Sequence, residues 1–143
     1  MNICKIVVSI FIFSTLVSCR PATEQTFTSK AEDLQGQWKL TGIFQDTSII
    51  DSEFDEKKPV ITIDYTKHQI HGFSGCNSFS GGFELENDSI KILPITATQI
   101  GCMKDGESIF FKQLNRANRF QVGKDSLKML ARDTVLLSFS KER

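Results

Sequence analysis

The sequence has no excess of charge of either sign: Lys plus Arg and Asp plus Glu number 17 each, so the formal net charge at neutral pH is zero. A nucleic-acid binder needs a surplus of cations to neutralise phosphates, so the composition excludes nucleic acid as an electrostatically favoured partner. Long hydrophobic runs are scarce too. Only Ile6 to Leu16 is extended and almost wholly apolar, which excludes a multi-pass membrane protein. With 40% hydrophobic and 24% charged residues, the chain is neither disordered nor collagen-like.

Residues that carry catalysis are also thin. The two histidines, His68 and His71, lie three apart. On one strand that odd spacing sends them to opposite faces, so surface imidazoles are expected, with a chelating pair brought round a turn as the alternative. No Gly-x-Ser-x-Gly, His-Glu-x-x-His, dinucleotide fingerprint or Cys-x-x-Cys occurs. Asp64 with His68, or Ser78 with His71, can be drawn as fragments of a triad, but a chain with 17 acids offers such pairs by chance. The expectation is a protein that is not an enzyme, with no catalytic residue, metal or cofactor.

What is present begins at the N-terminus. Met1 to Lys5 carries one positive charge, Ile6 to Leu16 (IVVSIFIFSTL) is apolar, and Leu16-Val17-Ser18-Cys19 follows. This is the layout of a secretory signal over residues 1–18, with an apolar stretch too short for a permanent membrane span. Leu-Val-Ser-Cys resembles the bacterial lipoprotein cleavage motif, which implies lipid on Cys19 and a membrane as partner through that lipid, with the domain outside the cytoplasm. An ordinary signal peptide with a chance thiol is the alternative. Arg20 and Pro21 carry no acidic retention signal, which tilts the expected location to the outer rather than the inner membrane. Residues 19–33, rich in Thr, Ser and Glu, read as a polar tether. The part that must fold is then residues 34–141, a single domain.

Within it, short β-type runs alternate with turn signals. Gln37 to Ile43 alternates apolar and polar residues. Gln45 to Lys58, with Asp46, Asp51, Glu53, Asp55 and Glu56, reads as a solvated loop, or as an acidic patch for a metal or a basic partner. Val60 to Tyr65 and Gln69 to Phe73 form one predicted hairpin, and Ser78 to Leu85 and Ser89 to Leu93 a second, closed by Pro94. A helix is predicted over Glu107 to Ala117, where Phe110, Leu114 and Ala117 share a stripe and Asp105 or Gly106 serves as cap. Arg119–Val122, Ser126–Leu130 and Val135–Ser140 complete a three-stranded meander. The expected fold is mainly β, a strongly curved antiparallel sheet or small barrel with one α-helix inserted late.

Cys4 leaves with the leader and Cys19 is assigned to lipid, so Cys76 and Cys102 remain. An even pair in an exported domain is most simply a disulfide, closing a 27-residue loop with roughly 3.5 kcal/mol of chain-entropy stabilisation. A redox-active thiol pair is the alternative. The glycines at 72, 75, 81 and 82 permit unusual backbone or close approach, and Asn77 can bond its own backbone. Together they describe a tight corner between strands, or alternatively a ligand cradle of backbone N–H groups.

Gly72-Phe73-Ser74-Gly75-Cys76-Asn77-Ser78-Phe79-Ser80-Gly81 resembles the G-x-x-G-C-N-x-[FY]-S-G signature of the META domain, the family that includes the HslJ-type heat-inducible lipoproteins. Leu93 to Met103, with Thr96 or Thr98 before Cys102, is similar to its second cysteine segment; Gly101 stands where Ala is more familiar. Gly36-Gln37-Trp38-Lys39-Leu40 resembles its opening, and Phe110 to Leu114, Leu127 and Leu136 to Phe139 its helix and closing strands. The signature residues carried over are Gly75, Cys76, Asn77 and Gly81. The resemblance implies a single β-rich domain around one helix in a cell-envelope protein with no established catalysis, linked to stress or antibiotic tolerance. The function expected is therefore that of a non-catalytic envelope lipoprotein with a binding or stress-tolerance role. A barrel-type carrier of a small apolar ligand is the alternative, suggested by the twelve phenylalanines.

Charge is also unevenly placed. The acids gather in Asp46 to Glu56, while Lys112, Arg116, Arg119, Lys124, Lys128 and Arg132 lie in the C-terminal third. A partner is expected to meet one of these regions.

Overall fold

In a computed structural model of the chain, residue 27 and residues 30–54 and 56–143 are described. The leader, Cys19, most of the tether and Asp55 lie outside the described residues. Nine strands make one antiparallel sheet: β1 (Gly36–Ile43), β2 (Val60–Asp64), β3 (Gln69–Phe73), β4 (Ser78–Glu86), β5 (Ser89–Ile92), β6 (Thr96–Ala97), β7 (Arg119–Val122), β8 (Ser126–Ala131) and β9 (Thr134–Lys141). The spatial order is β3-β2-β1-β9-β8-β7-β5-β4-β6, and β4 also pairs with β3, so the sheet curls back on itself into a near-closed barrel. The mainly β fold expected from strand spacing is the fold observed.

β4 makes the closure possible. Its first half pairs with β3 on one edge (Phe79↔Gly72) and with β6 on the other (Phe79↔Ala97), and its second half pairs with β5 (Leu85↔Ile90). β5 and β6 are one interrupted strand: Leu93 N–H still donates to Gly82 O at 2.9 Å, and the interruption falls at Pro94, which has no N–H to offer the ladder. Along β3 the approach to β2 is close at Gly72. A Cβ there would stand 2.0 Å from Val60 O, so no other residue fits without moving the backbone.

Alternation puts Trp38 and Leu40 of β1, Ile61 and Ile63 of β2, Ile70 of β3, Phe79 and Phe83 of β4, Phe120 and Val122 of β7, and Leu137 and Phe139 of β9 inside. A register shift between Leu40 and Gly42 lets Ile43 join them. Two elements from outside the sheet complete the core. A 3-10 turn, Ala31–Leu34, inserts the fully buried Leu34, whose carbonyl accepts the Trp38 indole N–H at 2.8 Å. Helix α2 (Gly106–Arg116) buries Phe110 and Leu114, with Phe79, Phe110 and Phe111 packed ring to ring at 5.3–6.0 Å.

Two expectations need correction. Gln45 to Lys58 is not simply a solvated loop: it holds helix α1 (Ser48–Glu53), and Ile50 and Phe54 are buried in the core. Their spacing of four is helical, and the acids around them occupy the outward side. At α2, Asp105 does take the N-cap position, but its side chain makes no capping hydrogen bond.

The β2–β3 turn shows how a half-buried acid can organise backbone. Asp64 Oδ1 accepts from Thr66 Oγ1 (2.8 Å) and from Lys67 N–H (3.1 Å), and its other oxygen pairs with Lys67 Nζ. These donors, the Thr66 hydroxyl first, hold the carboxyl down at about 2, below its ordinary value near 3.8. The turn's residue His68 is in the left-handed region, φ 52°, its ring beside those of Phe83 and Tyr65.

Gly72→Ala should lower stability by about 3 kcal/mol in chemical denaturation, the scale of forced overpacking, whereas Gly101→Ala, with no atom within 4 Å of the added Cβ, should be nearly silent. A carboxyl depressed in the folded state stabilises above its unfolded pKa and loses that contribution as pH falls through the folded one. The thermal midpoint of Asp64→Asn should therefore lie below that of the parent at about pH 6, and the gap should close as pH drops from near 4 to near 2.

Candidate functional site

The β3–β4 connection, Ser74 to Asn77, is a compact loop built on its own polar atoms. Ser74 N–H donates to Asn77 O at 2.8 Å, and Asn77 N–H donates to Ser74 Oγ at 2.9 Å. Gly75 sits at φ +100°, a conformation that L side chains rarely adopt, and a Cβ there would meet the Phe54 ring at 2.5 Å. Cys76 follows and is at disulfide-bonding distance from Cys102, with Cα atoms 5.9 Å apart. The link joins the β3–β4 corner to the segment that leads into α2.

Asn77 is the hub. It is 2% exposed, and its amide uses its full hydrogen-bonding capacity. Oδ1 accepts from Ile100 N–H (2.7 Å) and Thr98 Oγ1 (2.8 Å), while Nδ2 donates to Glu107 Oε2 (2.9 Å) and Ile100 O (3.1 Å). One amide side chain thus fixes the strand segment after β6 and the first turn of α2 against the corner. No other side chain of this size offers two donors and two acceptors in that arrangement.

Glu107 is the second partner. Its other oxygen takes the Ser74 hydroxyl, and Oε2 lies 3.2 Å from Cys102 Sγ. As an acid in the first turn of α2 it also faces the positive end of the helix dipole. Phe54 is the floor: it packs on Gly75, and a Cβ at Gly106 would stand 2.7 Å from the same ring and 2.2 Å from Glu53 O. A cleft of about 160 Å³ over the sulfurs is lined by Glu53, Phe54, Gly101, Met103 and Lys104, among others. Beside it, Ile100 and Met103 are exposed apolar side chains, Met103 at 91%.

The sulfurs of Cys76 and Cys102 and a carboxylate oxygen of Glu107 all lie within 4.8 Å of one another. With the sulfurs bonded to each other, the trio lacks the thiolates a soft metal requires. Polar groups here are turned on one another, which makes the arrangement a clamp.

Of the signature residues, Gly75, Cys76 and Asn77 meet at this corner, together with the disulfide partner Cys102. Gly81 does not: it lies on β4, paired with Ile70 of β3, and faces Pro94 and Ile95. His71 is exposed on β3, opposite Ser80 rather than Ser78, and Asp64 is engaged by Thr66 and Lys67 instead of His68. Two members of the site escaped sequence reasoning. Phe54 was signalled by its helical spacing from Ile50, but Glu107, thirty residues from Asn77, had no local signature.

A helix-capped antiparallel barrel with a disulfide tying its strand corner to the helix entry defines a small, single-domain clamped β-barrel. The chain belongs to the META domain family, whose sequence model matches residues 32–143. Three solved structures share the fold. An NMR structure of a protein from Burkholderia xenovorans has a TM-score of 0.62 at 17% identity, with 94% of this chain and 99% of that one covered. A second NMR structure has a TM-score of 0.60 at 19% identity, covering 78% and 94%. A crystal structure of a DUF4847 family protein from Bacteroides vulgatus has a TM-score of 0.53 at 14% identity, covering 77% and 96%. No curated protein matches the chain.

Cys76→Ser should lower stability by roughly 3 kcal/mol, read in denaturant under non-reducing conditions. Asn77→Asp should lower it even with the disulfide intact, because it sets a carboxylate against Glu107 and removes two donors. That loss should shrink when Glu107→Gln is added, as a double-mutant cycle would measure.

Proposed function

We propose that the chain is an exported lipoprotein of the bacterial cell envelope, held by lipid on Cys19, whose META domain acts outside the cytoplasm by binding or by supporting the envelope under stress rather than by catalysis. The observation that carries this reading is the Cys76–Cys102 pair. Disulfides persist in oxidising compartments, and here one coincides with a leader that ends in Leu16-Val17-Ser18-Cys19. The site supports a non-catalytic role in its own way: the hydrogen-bonding groups of Ser74 and Asn77, and the carboxylate of Glu107, are spent on one another and on backbone. A free nucleophile or base would keep a reactive atom for substrate.

A carrier with its ligand inside the barrel finds less support. Phe54, Phe79, Phe83, Phe110, Phe120 and Phe139 are all buried, and Trp38 fills the space beside Leu34. Those six phenylalanines are core material.

Metabolic labelling with a fatty-acid analogue should mark the protein, and Cys19→Ala should remove the label and release the domain from membranes. An unlabelled parent, with a Cys19→Ala variant of unchanged size and fractionation, would overturn the anchor.

A further inference from the structure

The barrel closes least completely between β5 and β7. These strands share one paired position, Ser89↔Arg119, flanked by hydrogen bonds from Ile90 N–H to Asn118 O and from Phe120 N–H to Asp88 O, both 3.1 Å. Beyond Ile90 the neighbour of β5 is no longer a strand, because the chain preceding Asn118 has already turned into the end of α2. The seam opens there into a groove of about 800 Å³, a volume suited to a small ligand.

Its walls differ sharply in character. Leu85 and Ile92, side chains of the barrel's inner face, are only half-buried at this mouth, and with Ile90 and Ala117 they make an apolar floor. The rim is charged. Glu84 is paired with Lys91, and Asp88 and Asp133 with Arg119. Arg116 is steadied by Gln113 (2.9 Å) and has no acidic partner among the described residues, and Arg132, in the tight β8–β9 turn at φ 54°, has none among them either. Glu86 is the unpaired acid of the lining, so the uncompensated charge of the rim among the described residues is positive.

An apolar trough lined also by two guanidinium side chains that no carboxylate among the described residues neutralises suits a single aliphatic chain bearing an anionic head. Arginine forks carboxylate and phosphate oxygens equally well. We propose that this groove binds a single-chain anionic amphiphile, a free fatty acid or a lysophospholipid with a phosphate head, the chain lying along Leu85, Ile90 and Ile92 and the head held by Arg116 and Arg132. The proposal does not depend on the lipid anchor. It also differs from an interior carrier, since the ligand lies at the seam and leaves the core intact.

The test uses the full-length protein purified in a zwitterionic detergent, with each probe added below its critical micelle concentration. Photoreactive palmitate, photoreactive lysophosphatidylglycerol and, as an uncharged-head control, photoreactive monoacylglycerol are crosslinked and mapped by peptide mass spectrometry. Crosslinks are expected within Glu84–Ile92 and Asn115–Arg119, with the anionic probes exceeding the neutral one by about tenfold, the scale of one charge-assisted contact. The carboxylate and phosphate arms show which head is preferred. Arg116→Gln with Arg132→Gln, both exposed changes, should bring the anionic probes down to the neutral level. Crosslinks scattered elsewhere, equal labelling by neutral and anionic probes, or labelling unaffected by the double substitution would each overturn it. The comparison among probes on the parent protein needs no variant to fold.

Discussion

The structure depends on β4 being bonded along both edges. Its first half has to lie between β3 and β6, and its second half has to carry β5 round toward β7. Closing a sheet this way leaves little exposed edge and lets a domain of modest size build a continuous core. The requirement is local and steric. Phe79 and Phe83 must point inward, Gly72 must let β3 approach β2, and Pro94 must release the strand beyond β5 so that it can rejoin β4 as β6. Once those are met, β7 to β9 and β1 complete the ring through ordinary antiparallel pairing.

The disulfide corner serves that closure. The loop between Cys76 and Cys102 contains β4, β5 and β6, the strands on which closure rests. A cross-link around them restricts the unfolded chain most where the folded chain must bring distant parts together. Asn77 and Glu107 add a polar bracket to the covalent one, and Phe54 supplies the apolar side. Three kinds of attachment, covalent, polar and apolar, converge on one corner, joining α1, α2 and the β3–β4 loop, none of which shares a ladder with another.

Much of this was legible from residue pattern alone. The alternation in Gln37–Ile43 and Val60–Tyr65, the turn at Thr66-Lys67 and the stripe of Phe110, Leu114 and Ala117 report local geometry, and local geometry is what spacing encodes. The pairing of Cys76 with Cys102 was legible because only two candidates remained. Ile50 and Phe54 are obscured by five acids in the same stretch, whose charge hides a helical period. Glu107 could not be read, because its role is set by an amide thirty residues away and by the direction in which α2 leaves Cys102. The groove at the β5–β7 seam was equally hidden, since it arises where pairing stops.

The pairing of Trp38 with Lys141 sets the two ends of the domain side by side, with the lysine ammonium over the indole ring at 5.1 Å. β1 is an inner strand, laced to β2 on one side and β9 on the other. Tension applied through residues preceding Gly36 is therefore shared by two ladders at once, so the domain resists being peeled open from that end. A reporter fused after Arg143 would emerge on the same side of the barrel as the residues that precede Gly36. Reporters meant to sample the opposite pole of the barrel belong in the β8–β9 turn at Arg132 and Asp133 instead.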